Sequence, residues 1–194
     1  MVTIGVLGVQ GAVSEHIEAF RKLKADSIWL KTPSQLSQID GIVIPGGEST
    51  TISRLMQQEG LFERVQQMGK DNFPIWGTCA GLILLAKKGD SQVQKTKTKL
   101  LSLMDIEVNR NAFGRQKESF EKDIIIKGIK NEKKPFPCVF IRAPAITKTF
   151  GKCEALAQFN NFTIAARQKN LLATAFHPEL TSDLRIHEYF LQMM

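Results

Sequence analysis

Cysteine is scarce in this chain: Cys79, Cys138 and Cys153 are the only three among 194 residues. A sparse, odd count argues against a disulfide framework and for free thiols in a reducing compartment, so a cytoplasmic location is expected. Histidine is equally rare, at three. No pair of cysteines or histidines has finger-type spacing, so a zinc module is a poor reading and no metal is expected. No apolar run approaches the ~20 residues that span a bilayer, and no membrane partner is expected. The opening Met1-Val2-Thr3-Ile4-Gly5-Val6-Leu7 has no basic leader region and reads as a first strand, not a signal peptide. Repeats, low-complexity tracts and linkers are also missing. Residues 1–194 therefore read as a single domain, long enough to bury a core. The net charge is +7, but the lysines are scattered. The densest clusters, Lys95, Lys97 and Lys99, and Lys130, Lys133 and Lys134, have no interleaved aromatics. They read as solvated loops, with docking on an acidic protein as the alternative, and no nucleic-acid partner is expected.

What is present is an alternation of apolar runs and amphipathic stretches. Ile4–Leu7, Ser27–Leu30 and Gly41–Ile44 read as strands. A helix follows the first, with Ser14 as its cap and Ile17, Phe20 and Leu23 on one face. A short connecting segment begins at Thr32. Ser49–Gln58 and Leu61–Met68 read as helices broken at Gly60. Phe73–Trp76 is a further strand, and Leu82–Ala86 a further helix. This order argues for a mostly parallel central sheet with helices on both faces. The second half changes character. Lys87–Lys99 reads as a polar loop. Ile106–Val108, Asp123–Ile126, Cys138–Ile141, Ala155–Ala157, Phe162–Ala166 and Leu171–Phe176 read as strands forming a smaller antiparallel subsheet. A last helix covers about Ser182–Met193, anchored by Leu184, Tyr189 and Phe190.

Gly77-Thr78-Cys79-Ala80-Gly81 carries the chemistry. Small residues around one cysteine let a strand turn sharply into a helix. The thiol is then pushed out of the packed layer to a helix N-terminus, where unpaired N–H groups favour the thiolate. This is the cysteine form of the nucleophile elbow. A thiolate nucleophile needs a base, and the base needs an orienting group. His177 directly follows a strand, in Phe176-His177-Pro178-Glu179. Strand C-termini are where open α/β sheets build their sites. Glu179 is spaced to hold one ring nitrogen, leaving the other for Cys79; a surface His-Pro-Glu turn is the alternative. His16 and His187 read as ordinary helix residues. Pro45-Gly46-Gly47-Glu48-Ser49-Thr50-Thr51 follows a buried strand and lacks the lysine of a phosphate-binding loop. Its glycines let backbone N–H groups approach a substrate, and Ser49 is placed to cap the next helix. Gly47 N–H and Ala80 N–H are the expected oxyanion donors.

These strings resemble a family. Gly77–Gly81 with Phe176–Glu179 is similar to the class I, triad glutamine amidotransferases. The finer strings resemble the glutaminase subunits of pyridoxal 5′-phosphate synthase complexes. They are Gly5–Gly11, Pro45–Thr51, Arg110-Asn111-Ala112-Phe113-Gly114-Arg115-Gln116, Ser119-Phe120-Glu121, Phe140-Ile141-Arg142-Ala143-Pro144, and Ser182-Asp183 after His177–Thr181. The match runs nearly end to end. It implies an α/β, flavodoxin-like fold and hydrolysis of L-glutamine to glutamate and ammonia through a thioester on Cys79. His177 is then the base and Glu179 its orienter. Gly47, Glu48, Ser49, Arg110, Ile141 and Arg142 become the glutamine-binding residues, with structural ion pairing as the alternative for Arg110, Arg115 and Arg142. Gln10 falls near the interface with the partner, a barrel-shaped pyridoxal 5′-phosphate synthase subunit that receives the ammonia. No cofactor is implied. Service to a different synthase, a non-catalytic partner-binding module and a cysteine peptidase of similar fold are the competing readings.

Overall fold

The structure, a computed structural model, describes residues 2–113 and 119–194. The first half runs β1 (Thr3–Leu7), α1 (Val13–Lys22), β2 (Asp26–Leu30), a 3-10 turn at Pro33–Gln38, β3 (Gly41–Ile44), α2 (Ser49–Gln58), α3 (Phe62–Lys70), β4 (Ile75–Thr78) and α4 (Ala80–Leu85). The second half runs β5 (Ala86–Gly89), α5 (Ser91–Lys95), β6 (Met104–Asn109), β7 (Ser119–Ile124), β8 (Phe136–Ile141), β9 (Ala145–Thr149), β10 (Glu154–Phe159), β11 (Phe162–Gln168), β12 (Leu171–Thr174), a 3-10 turn at Pro178–Leu180 and α6 (Arg185–Leu191).

One sheet holds ten strands in the order β2-β1-β3-β4-β12-β11-β9-β6-β5, with β10 paired to β11. The strands from β2 to β12 are all parallel. Beyond β12 the ladder turns antiparallel through β11, β9 and β6, and β5 closes the far edge parallel to β6. β7 and β8 form a separate antiparallel pair. The parallel strands β3, β4 and β12 are buried at every position, which is why they appear in the sequence as unbroken runs and not as alternations. Successive side chains of β4 point to opposite faces. Trp76 meets His16 of α1 and His187 and Phe190 of α6. Ile75 and Gly77 face α3 and α4 on the other side. Helices therefore cover both faces, in agreement with the expected α/β class.

Several local expectations need correction. α1 starts at Val13, one residue before Ser14, without any side-chain cap; the Ser14 hydroxyl donates to Glu15 instead. Ser49 is the first residue of α2, and Glu48 is its cap, accepting from the N–H groups of Thr50 and Thr51. Residues 87–99 are not all loop. They contain β5 and then α5, which Asp90 caps. β5 is polar because it is an edge strand, where charged side chains blunt further pairing; Lys87 on it pairs with Asp105. The strand expected at Asp123–Ile126 lies earlier, as β7, and β9 was not anticipated. The last helix is shorter than expected, as α6. Of the basic clusters, Lys99 pairs with Glu63 and Lys130 with Glu188, at exposed positions.

Candidate active site

Three parallel strands end on one edge of the sheet, and each delivers part of the site. β4 lies between β3 and β12, with Gly77 opposite Ile44 and Thr78 opposite Thr174. The residues after those ends are Pro45-Gly46-Gly47-Glu48 from β3, Cys79 from β4 and Ala175-Phe176-His177 from β12. Cys79 donates its own N–H to Thr174 O at 2.8 Å, and His177 N–H reaches Val139 O of β8 at 2.8 Å. The base and the nucleophile thus follow two neighbouring strands, β12 and β4, and are fixed by backbone hydrogen bonds although 98 positions separate them in the chain.

Cys79 has φ 48° and ψ −102°. A side chain at positive φ is strained, at about 1–3 kcal/mol, and persists only where its surroundings enforce it. The enforcement comes from two glycines. A Cβ on Gly81 would sit 2.0 Å from Ile44 O, and one on Gly77 would sit 2.4 Å from the Gly81 backbone. Only glycine lets α4 start this close beneath β3 and β4, and that close start throws Cys79 out at the helix N-terminus. The Cys79 sulfur lies 4.0 Å from Ile141 O, and a Cβ on Gly46 would meet both His177 Cε1, at 2.4 Å, and Cys79 Cβ, at 3.4 Å, so the two side chains flank the same glycine.

His177 Nδ1 lies 2.7 Å from Glu179 Oε1, which leaves Nε2 for the sulfur. Burial works against a charged ring here. The Cys79 sulfur and the Glu179 carboxylate outweigh it and hold the imidazolium well above the usual imidazole range, at about 10. Burial likewise pushes the Glu179 carboxyl up, but His16 and His177 together pull it below the ordinary carboxylate range. The arrangement can stabilise a thiolate–imidazolium pair, with the carboxylate on the far side of the ring.

Cys79 and His177 border a cavity of about 570 Å³, and Glu179 lies behind the His177 ring, outside its lining. Gly46, Gly47, Glu48, Ser49, Ala80, Arg110, Ile141 and Arg142 also face it, as do Gln10, Asn111 and Pro144. Every site residue expected from the sequence except Glu179, which sits behind His177, therefore faces one hollow. Gly47 has φ +152°, a value side chains rarely adopt. Gln10 Oε1 accepts from Glu48 N–H at 3.0 Å and so pins the glycine loop from the first βα turn. Glu48 both caps α2 and receives Arg110 Nη2 at 2.7 Å. Burial raises its proton affinity, but the Thr50 and Thr51 N–H groups, the Thr51 hydroxyl and Arg110 bring it down to about 2. Arg110 also donates to Thr96 Oγ1 at 3.2 Å, and Asp90 accepts its backbone N–H. Arg142 is exposed, at φ 43°, and has no ion-pair partner among the described residues. Gly114, Arg115 and Gln116 lie outside the described residues. Among the described residues, no group of three or more His, Cys, Asp or Glu could hold a metal ion, and no helix is long and apolar enough to cross a membrane.

A family model described as the SNO glutamine amidotransferase family matches residues 6–194. The chain belongs to the SNO glutamine amidotransferase family. It is 52% identical over 194 residues to a protein of Methanocella arvoryzae (strain DSM 22066 / NBRC 105507 / MRE50) named pyridoxal 5′-phosphate synthase subunit PdxT, covering 98% of this chain and 96% of that one. A protein of the same name from Pasteurella multocida (strain Pm70) is 51% identical over 191 residues, covering 98% and 95% of the two chains. A crystal structure described as a glutamine amidotransferase superposes with a TM-score of 0.90 at 38% identity, over 98% of this chain and 97% of that one.

Two residues of this family member escaped sequence reasoning. His16 and His187 are fully buried and stand behind Glu179, on the side away from the cavity. His16 Nε2 is 3.4 Å from Glu179 Oε2, and His16 Nδ1 is 3.0 Å from His187 Nε2. The available signal was scarcity: the chain has three histidines, and all three belong to one contiguous group.

Proposed function

We propose that this protein hydrolyses L-glutamine to L-glutamate and ammonia, and that the ammonia passes to a separate pyridoxal 5′-phosphate synthase subunit. The observation that carries the reading is Cys79 and His177 on the wall of a substrate-sized hollow, with Glu179 holding the far nitrogen of the His177 ring. The cysteine thiolate attacks the side-chain amide carbon, and the carbonyl π electrons move onto oxygen. Gly47 N–H and Ala80 N–H receive that oxyanion, at ~2.7–4 kcal/mol per donor. The intermediate collapses with loss of ammonia, which takes its proton from His177, and a glutamyl thioester remains. His177 then removes a proton from water. The hydroxide equivalent attacks the thioester, the sulfur leaves as thiolate, and glutamate departs.

Glu48, Ser49, Arg110, Ile141 and Arg142 form the wall that holds the amino-acid end of glutamine. A guanidinium suits the α-carboxylate by bidentate geometry, and the Glu48 carboxylate suits the α-ammonium. Gln10 sits where a docked synthase would reach the glycine loop. Residues 1–194 act as one glutaminase domain, in the cytoplasm, with no cofactor of its own. The names of the relatives support the synthase as partner.

The test is ammonia release from glutamine, with and without the synthase subunit, together with labelling by a glutamine analogue bearing an electrophilic side chain. The expected result is turnover that rises with the partner present, and label on Cys79 alone. Label on another residue, or full turnover by a Cys79→Ala protein, would overturn the reading.

A further inference from the structure

The glutaminase reading uses Cys79, His177 and Glu179 and leaves two buried imidazoles unexplained. They are not isolated. Glu179 spends Oε1 on His177 Nδ1, at 2.7 Å. Its Oε2 is buried with no hydrogen-bond partner among the described residues, and His16 Nε2 lies 3.4 Å from it. Thr78 Oγ1 lies 3.5 Å from the same nitrogen. On the other side of the His16 ring, Nδ1 lies 3.0 Å from His187 Nε2. His187 Nδ1 then has no hydrogen-bond partner among the described residues. Each ring is wedged against Trp76, with centroids at 5.3 Å for His16 and 4.9 Å for His187. Phe20 closes the far side of His187 at 5.1 Å.

That pattern of partners selects the tautomers. Burial keeps both rings neutral: it drives His187 well below the ordinary range, with His16 adding to the effect. It also lowers His16, with Glu179 opposing only in part. A neutral imidazole has one N–H and one lone pair. An N–H buried with no acceptor costs more than a lone pair buried with no donor. The orphan Nδ1 of His187 is therefore the lone pair, and the proton sits on its Nε2, donated to His16 Nδ1. His16 must then carry its own proton on Nε2, the nitrogen that lies 3.4 Å from Glu179 Oε2 and 3.5 Å from Thr78 Oγ1.

We infer that His187 and His16 form a buried positioning relay that fixes the Glu179 carboxylate from behind, extending the line Cys79–His177–Glu179 by two residues. This rests on the glutaminase reading for its purpose, but its geometry stands independently. The relay places an N–H donor beside the second oxygen of the carboxylate, at 3.4 Å. A carboxylate bonded to His177 through one oxygen and flanked by the His16 N–H at the other keeps its negative charge beside the His177 ring. It thereby favours the imidazolium and with it the thiolate partner. Titratable and charged groups facing His16 are Glu179 and His177 on the turn, His187 on α6 and Glu15 on its own helix. Glu18 and Lys22 line the shallow cleft on the outer side of Glu179.

The test has two arms on the full chain. The first is nitrogen NMR of the wild-type protein labelled at histidine. The expected result is two neutral rings, His16 and His187, both in the Nε2–H form; a proton on Nδ1 of either ring would overturn the relay. The second arm is the pH dependence of Cys79 alkylation by iodoacetamide. His16→Phe keeps the aromatic packing and removes the donor, so Glu179 holds its proton to higher pH. The acid limb should move up by about one pH unit and glutamine kcat fall about tenfold, with KM within twofold. His16→Gln, whose amide occupies the place of Nε2, should restore most of both. His187→Phe, which leaves His16 in place but without its donor, should give a smaller shift in the same direction. An unmoved acid limb in folded His16→Phe or His187→Phe protein would reduce both residues to packing. If the wild type released no ammonia from glutamine while the tautomers and the alkylation shift held, the glutaminase reading would fail and the relay would stand.

Discussion

At the scale of single residues, the three thiols have different surroundings. Burial pushes the Cys138 thiol far up, with Asp123 adding to it. Burial raises Cys153 to about 12, with Asp105 and Glu154 adding to it. Neither forms thiolate near neutrality, so neither competes with Cys79 for an electrophile. Cys79→Ser should therefore lower glutamine turnover by at least about 10³-fold with an unchanged melting profile, since an alcohol beside the same imidazole is a far weaker nucleophile. The two cavity arginines separate by a paired measurement. Arg142→Gln should raise KM for glutamine about ten- to a hundredfold, the loss of a charged hydrogen bond, without change in melting temperature. Arg110→Gln should raise KM and lower the melting temperature as well, because Arg110 also braces Glu48 at the start of α2. The nucleophile, the base and its orienter were legible in the sequence because each lies next to an apolar run that ends in small or rigid residues. His16 and His187 were not. They meet across 171 positions, and nothing on their own helices distinguishes a histidine that faces another from one that fills a core.

At the scale of elements, the site depends on how closely α4 can begin beside the strands before it. Gly81→Ala puts a methyl group 2.0 Å from Ile44 O, a backbone atom that cannot turn aside. The expected cost is about 1–3 kcal/mol of stability, measured by urea denaturation, and a far larger loss of turnover, because the helix that carries Cys79 must shift. The parallel elements were readable, since a strand buried on both faces appears as a continuous apolar run. Boundaries and caps were less so. Ser14 and Ser49 have the composition of caps, yet the chain turns into α1 without one and uses the Glu48 carboxylate for α2. Glu48 serves because its carboxylate spans two N–H groups and Arg110 at once, which no serine can do. β5 and α5 were hidden by polarity, which at a sheet edge and on a five-residue helix carries no amphipathic signal.

For the whole molecule, the buried histidines set how stability responds to acid. His16 and His187 are held neutral in the folded state, below the ordinary imidazole range. In the unfolded chain they take up protons as the pH falls through about 6.5. The unfolded state then binds more protons than the native state, and stability drops with the pH. Below about 4.5 the carboxylates Glu48, Glu179 and Asp183, all depressed in the folded protein, extend the loss. His177, held at about 10 in the folded protein, works the other way above about 6.5, so the loss sets in below that value. Urea denaturation at pH 6.5, 5.5 and 5 should show a decline that begins before any carboxylate titrates. His187→Phe should flatten its first part.

The sheet itself has a consequence for the integrity of the chain. β4 carries the nucleophile in the first half of the sequence, but its neighbour on one side, β12, arrives almost a hundred residues later and brings the base. A chain cut in the polar stretch between α5 and β6 would leave the earlier piece with a bare apolar border where β12 belongs. The later piece would have lost the template on which its last strand lies. Each fragment would be the missing border of the other. Such halves, fused to two interacting proteins, would make a sensor whose ammonia output reports that the two had met.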